Sequence, residues 1–161
     1  MKKATLAIIT RGSKVLLGLK RGGSEIGDGT LNGPGGKQEQ GETILDCLVR
    51  ETLEEVGIVL DPTKAEKCAV ITFFAADEPS FEVHIYRTST FTDEPRTTES
   101  MIPEWYEIGD IPKLSKTRML ESDRTWFPQL IAGEKFNANV YYQEKAKGFL
   151  RIEFLPFVDH E

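Results

Sequence analysis

The chain predicts an α+β fold, with helices on the faces of one mixed β-sheet. Three observations predict it. Short β-rich apolar segments recur along the chain, two stretches have helical character, and no linker, repeat or low-complexity tract divides residues 1–161. This is the pattern of a sandwich in which each layer buries one face of its neighbour. A length of 161 residues suits one domain, large enough to bury roughly 70% of its unfolded surface.

The elements follow in order. Residues 5–10 and 14–19 are apolar and β-rich around Arg11-Gly12-Ser13, which reads as a hairpin. Residues 21–30 form a glycine-rich loop of mixed charge, expected to be mobile and at the mouth of a site. Residues 33–41 hold Gly33-Pro34-Gly35-Gly36-Lys37 and Gly41, a run that cannot be helical. A helix is expected over 43–56. Thr43 suits its N-cap, Asp46 completes a shortened capping box, and Gly57 stands where a left-handed C-cap belongs. Strands are expected at 67–76 and 81–90, joined by a turn at 77–80, then a polar loop at 92–100 and a short strand at 104–108. Residues 116–131 read as a second helix that Pro128 ends or kinks. Residues 136–143 and 149–155 make a last hairpin.

Charge and composition narrow the functions. A net charge of −6 argues against a general nucleic-acid binder, which needs a basic surface. No apolar run approaches the length of a membrane span, and the N-terminus lacks a signal-peptide core. The two cysteines, Cys47 and Cys68, lack metal-site spacing and read as buried free thiols. A cytoplasmic protein is expected, monomeric or homodimeric, with no nucleic-acid or membrane partner.

The helix at 43–56 carries the chemistry. Glu51, Glu54 and Glu55 stand at i, i+3 and i+4, which places them on about one third of the helix surface. Like charges so close repel, and a hard divalent cation relieves the repulsion. Oxygen ligands without histidine or cysteine select Mg²⁺, with Mn²⁺ as a substitute, over zinc. A bare Glu-x-x-Glu-Glu is more often a solvated acidic face; the glycine-rich loop beside it is what favours a site. Nearby cations that would assist with an anionic ligand are Lys20, Arg21, Lys37 and Arg50.

Gly36, Glu42, Arg50-Glu51, Glu54-Glu55 and Gly57-Ile58 stand at the spacing of the Nudix box, and the chain resembles the Nudix hydrolases over residues 36–58. The seven matches from Gly36 to Gly57, all common residue types, arise by chance with a probability on the order of 10⁻⁸ per start site. One position departs, Thr52, where the family usually has an aliphatic residue; its hydroxyl is expected to bond a carbonyl one turn back. The resemblance implies an α/β/α sandwich and hydrolysis of a nucleoside diphosphate linked to another group. It implies Glu51, Glu54 and Glu55 as metal ligands together with the Gly35 carbonyl, one glutamate as general base, and Arg50 as the holder of a carboxylate. Family members differ in the base, so Glu51 and Glu55 both stay open. Glu42 reads as a helix-start acid that pairs with Arg50 or with a water near the metal, and not as a direct ligand. Glu99 and Glu104 are the candidates for a further acid outside the box; Glu99 is the candidate metal ligand, since the family places an acid close by where this chain has Ser100, and a plain loop acid is the alternative.

Outside the box the chain is similar to the subgroup acting on oxidised purine nucleoside triphosphates. The matching pieces include Val15-Leu16-Leu17-Gly18, Lys20, Asn32-Gly33, Pro103-x-Trp105 and Trp126-Phe127-Pro128. In that subgroup Asn32 would bind the base edge, although a turn residue before Gly33 is a competing role. Of two purine-binding acids only Asp123 matches, with Ser122 in the other place; an exposed helix acid is its competing role. Leu120 stands where a tryptophan stacks on the base, and about Ser24 where a phenylalanine stands. Lys20 and Lys37 complete the expected substrate contacts, and Trp105 and Trp126 read as core. The expected reaction is Mg²⁺-dependent hydrolysis of dGTP or 8-oxo-dGTP to monophosphate and pyrophosphate. A hydrolase of ADP-ribose or a nucleotide sugar, and a non-catalytic nucleotide-sensing module, are the alternatives.

Overall fold

The computed structural model describes residues 1–22 and 29–159. The position of Ser24 therefore lies outside the described residues, as does most of the 21–30 loop. The strands are β1 (Lys2–Arg11), β2 (Lys14–Lys20), β3 (Leu31–Asn32), β4 (Gly35–Lys37), β5 (Val59–Leu60), β6 (Glu66–Ala75), β7 (Glu78–Thr88), β8 (Phe91–Thr92), β9 (Met101–Glu107), β10 (Phe136–Glu144) and β11 (Lys147–Leu155). The helices are α1 (Ile44–Val56), α2 (Ile111–Arg118) and α3 (Asp123–Ile131). One mixed sheet runs β11-β10-β6-β7-β1-β2-β3, with β4 added to β1 and β9 to β2; β5 and β8 pair apart from it. β1 runs parallel to β7, and β6 parallel to β10.

Strand β1 is buried on both faces, so its side chains divide by the two-residue period of a strand. Leu6 and Ile8 join one core with Val15 and Leu17 of β2 and with Ile111, Trp126, Phe127 and Leu130 of α2 and α3. Ala7 and Ile9 face the other way, into a core with Leu16, Leu48 and Val56. Helix α1 thus covers one face and α2–α3 the other, which is the expected sandwich of helices on a mixed sheet. On one edge β1 pairs β4 at Ala4–Leu6 and then β2 at Thr10 and Arg11.

Helix α1 is capped by its own sequence. The Thr43 hydroxyl accepts the Asp46 N–H at 3.0 Å, and the Asp46 carboxylate accepts the Thr43 N–H at 3.2 Å. Gly57 ends it at φ 76°, donating its N–H to the Leu53 carbonyl. Thr52 differs from expectation. It is fully buried, and its hydroxyl bonds neither a carbonyl one turn back nor any other group of the protein. Burying a hydroxyl without a partner costs about 1–3 kcal/mol. Thr52→Val keeps the shape and should raise the urea-unfolding free energy by about 1 kcal/mol; a lower value would show that the hydroxyl has a stabilising partner.

Three other expectations are corrected. The helix expected over 116–131 is two helices, broken at Met119, whose backbone is extended. The break lets both helices turn apolar residues into one core, and Arg124 satisfies the freed Met119 carbonyl at 3.0 Å. Pro128 sits inside α3 without ending it, because the helix has only three residues left to run. The turn expected at 77–80 is formed by Ala76 and Asp77, both at positive φ, and Pro79 lies within β7. The short strands β3, β4, β5 and β8 escaped notice because two or three residues carry no period. Among the described residues no helix is long and apolar enough to cross a membrane.

Candidate active site

Arg50 is the hub of the acidic helix face. Its guanidinium grips the Glu42 carboxylate with two bonds of 2.7 and 3.0 Å, and reaches Glu51 at 2.8 Å and Glu54 at 3.2 Å. It also donates to the Lys37 carbonyl at 3.1 Å, which ties the helix to the glycine-rich loop. The two-pronged bond to Arg50 holds the Glu42 carboxyl well below its usual range, at about 2. Glu42 is thus committed to Arg50, as expected.

The glutamates facing the loop are in another state. Glu55 is buried and accepts the Gly35 N–H at 2.8 Å. Burial pushes its carboxyl up to about 7; the Gly35 bond pulls against this and the Glu51 charge adds to it. Burial also raises Glu51, against the pull of Arg50. Glu54 stays exposed on the rim. Backbone approaches closely on this side because Gly35 and Gly36 have no side chains. A Cβ on Gly35 would overlap the Thr5 carbonyl, and one on Gly36 would overlap the Glu51 carboxylate.

Glu51 and Glu55 line one end of a cleft of about 400 Å³, which also holds Lys20, Asn32, Gly35, Lys37, Leu120 and Asp123. Lys20 acts on both ends, since its charge lowers Glu55 and Asp123 alike. Lys37 stands 5.7 Å from the Phe81 ring. Asn32 takes the turn role and also meets Asp123. Its Oδ1 accepts the Gly33 N–H at 2.9 Å, a turn bond, while its Nδ2 donates to Asp123 at 3.3 Å. Asp123 is only 2% exposed, so it is no surface helix acid. Burial pushes its carboxyl up to about 7, with Ser122 as the main opposing donor. Trp126 is core, as expected, though one edge of it touches the cleft.

Glu99 is not brought to this cleft; it is exposed on the 93–100 loop. Arg21 is directed to the Thr98 carbonyl. Sequence reasoning passed over Phe73, Phe81, Val83 and Tyr142, which line the far side of the cleft. Alternation marks these as inward-facing residues, but only the paired ends of β6, β7 and β10 decide that inward means cleft.

Among the described residues no three acidic, histidine or cysteine side chains converge to hold a metal ion. The donor set nonetheless suits a hard cation. One guanidinium is shared among Glu39, Glu42, Glu51 and Glu54, all within 4.0 Å, so four carboxylates crowd a single positive charge.

Asp123 has a measurable effect on stability. Its folded carboxyl stands at about 7 against an ordinary 3.8. Between those values the folded protein keeps a proton that the unfolded chain has released, so this group's contribution falls as pH rises through that window and stays lost above it. Asp123→Asn removes the penalty and should be the more stable form at pH 8, by about 2–4 kcal/mol. At pH 4 the two should unfold at nearly the same urea concentration; an equal gain at both pH values would rule out ionisation as the cause.

Comparison with known proteins identifies the family. The NUDIX domain family matches residues 1–130. The oxidized purine nucleoside triphosphate hydrolase of Danio rerio is 36% identical over 136 residues, covering 84% of this chain and 83% of its own. The mouse protein of the same name is 34% identical over 142 residues, covering 88% and 86%. Among solved structures, the MutT protein of Bacillus halodurans superposes with a TM-score of 0.77 at 22% identity, covering 96% of this chain and 97% of its own. The MutT protein of Methanosarcina mazei does so at 0.68 and 17%, covering 81% and 93%. With the NUDIX domain family matching residues 1–130 and relatives at 34–36% identity aligned over 84–88% of the chain, the chain belongs to the Nudix hydrolases.

Proposed function

We propose that the protein hydrolyses a guanine-type purine nucleoside triphosphate, dGTP or its 8-oxo form, to the monophosphate and pyrophosphate. The observation that carries this reading is that the Glu51–Glu55 end and the Asn32–Asp123 pair line one cleft. One end has the chemistry for a polyphosphate and the other for a base edge. The names of the zebrafish and mouse relatives point the same way.

Glu51, Glu54 and Glu55, with the Gly35 carbonyl, would hold Mg²⁺, with Mn²⁺ as a substitute. Such an ion neutralises phosphate charge and acidifies water. The chain's own residues do the rest. A glutamate of this cluster, Glu51 or Glu55, takes a proton from the attacking water. The new P–O bond forms as the bridge between the α and β phosphates breaks. Arg50 keeps the carboxylates aligned, and Lys20 and Lys37 favour the anionic substrate. Asn32 and Asp123 read the base, the amide both donating and accepting. Leu120 offers the base an aliphatic contact, and a missing aromatic platform costs about 1–3 kcal/mol per base. Weak discrimination between oxidised and normal guanine is therefore expected.

The test is a product assay with Mg²⁺ on dGTP, 8-oxo-dGTP, the other deoxynucleoside triphosphates, ADP-ribose and a nucleotide sugar. Phosphate and pyrophosphate are read separately. Pyrophosphate from the guanine nucleotides supports the proposal. Turnover confined to ADP-ribose or the sugar overturns the base assignment, and tight binding without product identifies a sensing module. Mg²⁺ affinity, read by calorimetry, should also rise between pH 6 and 8, because the ion competes with the proton on Glu55 near pH 7.

A further inference from the structure

Behind Asp123 lies a buried chain of hydroxyls that the proposed reaction does not use. Tyr142 of β10 is 4% exposed, and Ser122, at the start of α3, is fully buried. The Ser122 N–H donates to the Tyr142 hydroxyl oxygen at 3.2 Å, and the Tyr142 O–H donates to Ser122 Oγ at 3.0 Å. Ser122 Oγ in turn donates to Asp123 Oδ1 at 3.2 Å. The other oxygen, Oδ2, accepts from Asn32.

Each hydroxyl has one hydrogen, so this chain runs one way. Because Tyr142 occupies both the N–H and an oxygen lone pair of Ser122, the serine hydrogen is aimed at Asp123. Tyr142 and Asp123 line the cleft, and Ser122 does not. A base entering here meets one carboxyl, clamped on both oxygens, and a Tyr142 hydroxyl already bonded to Ser122. The Ser122 bond also favours the charged form of that carboxyl, against its burial. Lys20 of β2 is a charged side chain that acts on Asp123, and Glu121 acts on Tyr142.

We propose that Tyr142 is a specificity-determining positioning residue: through Ser122 it holds Asp123 as the single oriented carboxyl that reads the base. This rests on the reading of Asn32 and Asp123 as the base site. The hydroxyl of Tyr142 touches no reacting atom, so it acts on substrate choice and KM and leaves the phosphate chemistry alone.

Two measurements separate the relay from the base site. The first follows the Asp123 carboxyl carbon by NMR across pH 5–9, without substrate, in the wild type, Tyr142→Phe and Ser122→Ala. Losing the aimed donor should move its midpoint upward, by roughly half a unit to one unit in both variants. An unchanged midpoint overturns the relay. The second compares kinetics on dGTP and dATP for the same proteins and Asp123→Asn. Tyr142→Phe and Ser122→Ala should each raise KM for dGTP by about three- to tenfold, narrow the preference over dATP, and leave kcat within about twofold. Equal losses of kcat on every substrate would show a merely structural role. If the NMR midpoints move but Asp123→Asn alters neither KM nor preference, the relay stands and the base site lies elsewhere.

Discussion

Glu55→Gln should lower kcat by about 10²–10⁴-fold while the protein stays folded. Glutamine keeps the amide oxygen that accepts the Gly35 N–H, a bond of 2.8 Å in the wild type, so the loop stays in place. The change removes a carboxyl that burial already raises to about 7. At pH 8 the variant should therefore unfold at the same or a higher urea concentration than the wild type. Glu51→Gln is the companion, since either glutamate suits the base. Activity within tenfold of wild type in both variants would remove the carboxylate cluster from the reaction.

Adjacent glycines should fail in different ways. Gly35→Ala sets a methyl group against the Thr5 carbonyl, in backbone held by the pairing of β1 with β4. Neither strand yields without breaking that pairing and moving the N–H that Glu55 uses. A loss of about 3–5 kcal/mol in urea unfolding is expected. Gly36→Ala instead meets the Glu51 carboxylate, the far end of a flexible side chain. That carboxylate can swing aside, so the fold should lose no more than about 1 kcal/mol while kcat falls about 10²-fold. Parallel unfolding and kinetic measurements decide it. A stable, active Gly35→Ala would contradict the geometry of the loop.

The residues read correctly from sequence alone are those whose roles are local. Thr43, Asp46 and Gly57 specify the ends of α1 within a few residues of chain, and Arg50 finds Glu54 one helical turn on and Glu42 just ahead of the helix. What went unread depends on packing between distant segments. The break at Met119 follows from the need of α2 and α3 to fill one core. The burial of Asp123 depends on how α3 is rotated against β10. Thr52 was assigned a carbonyl by helix rules, yet its hydroxyl has none. Tyr142 reaches Ser122 from a strand 20 residues further along the chain, a contact that only the packing of β10 against α3 sets.

The two parallel pairings have a consequence for how the chain is made. β1 is synthesised before the other strands of this sheet, yet its longest pairing is with β7, from Lys2 with Phe81 to Ile9 with Thr88. β6 waits in the same way for β10, whose pairing ends with Tyr142. The β6–β7 and β10–β11 hairpins are local, but the two parallel pairings require long loops to close before they form, which places folding on the slow side for a domain of this size. A growing chain on the ribosome carries Leu6, Ile8, Val15 and Leu17 uncovered until residues well beyond position 120 have emerged. The order of synthesis therefore opposes the order of assembly, and unfinished chains are the form of this protein most exposed to aggregation.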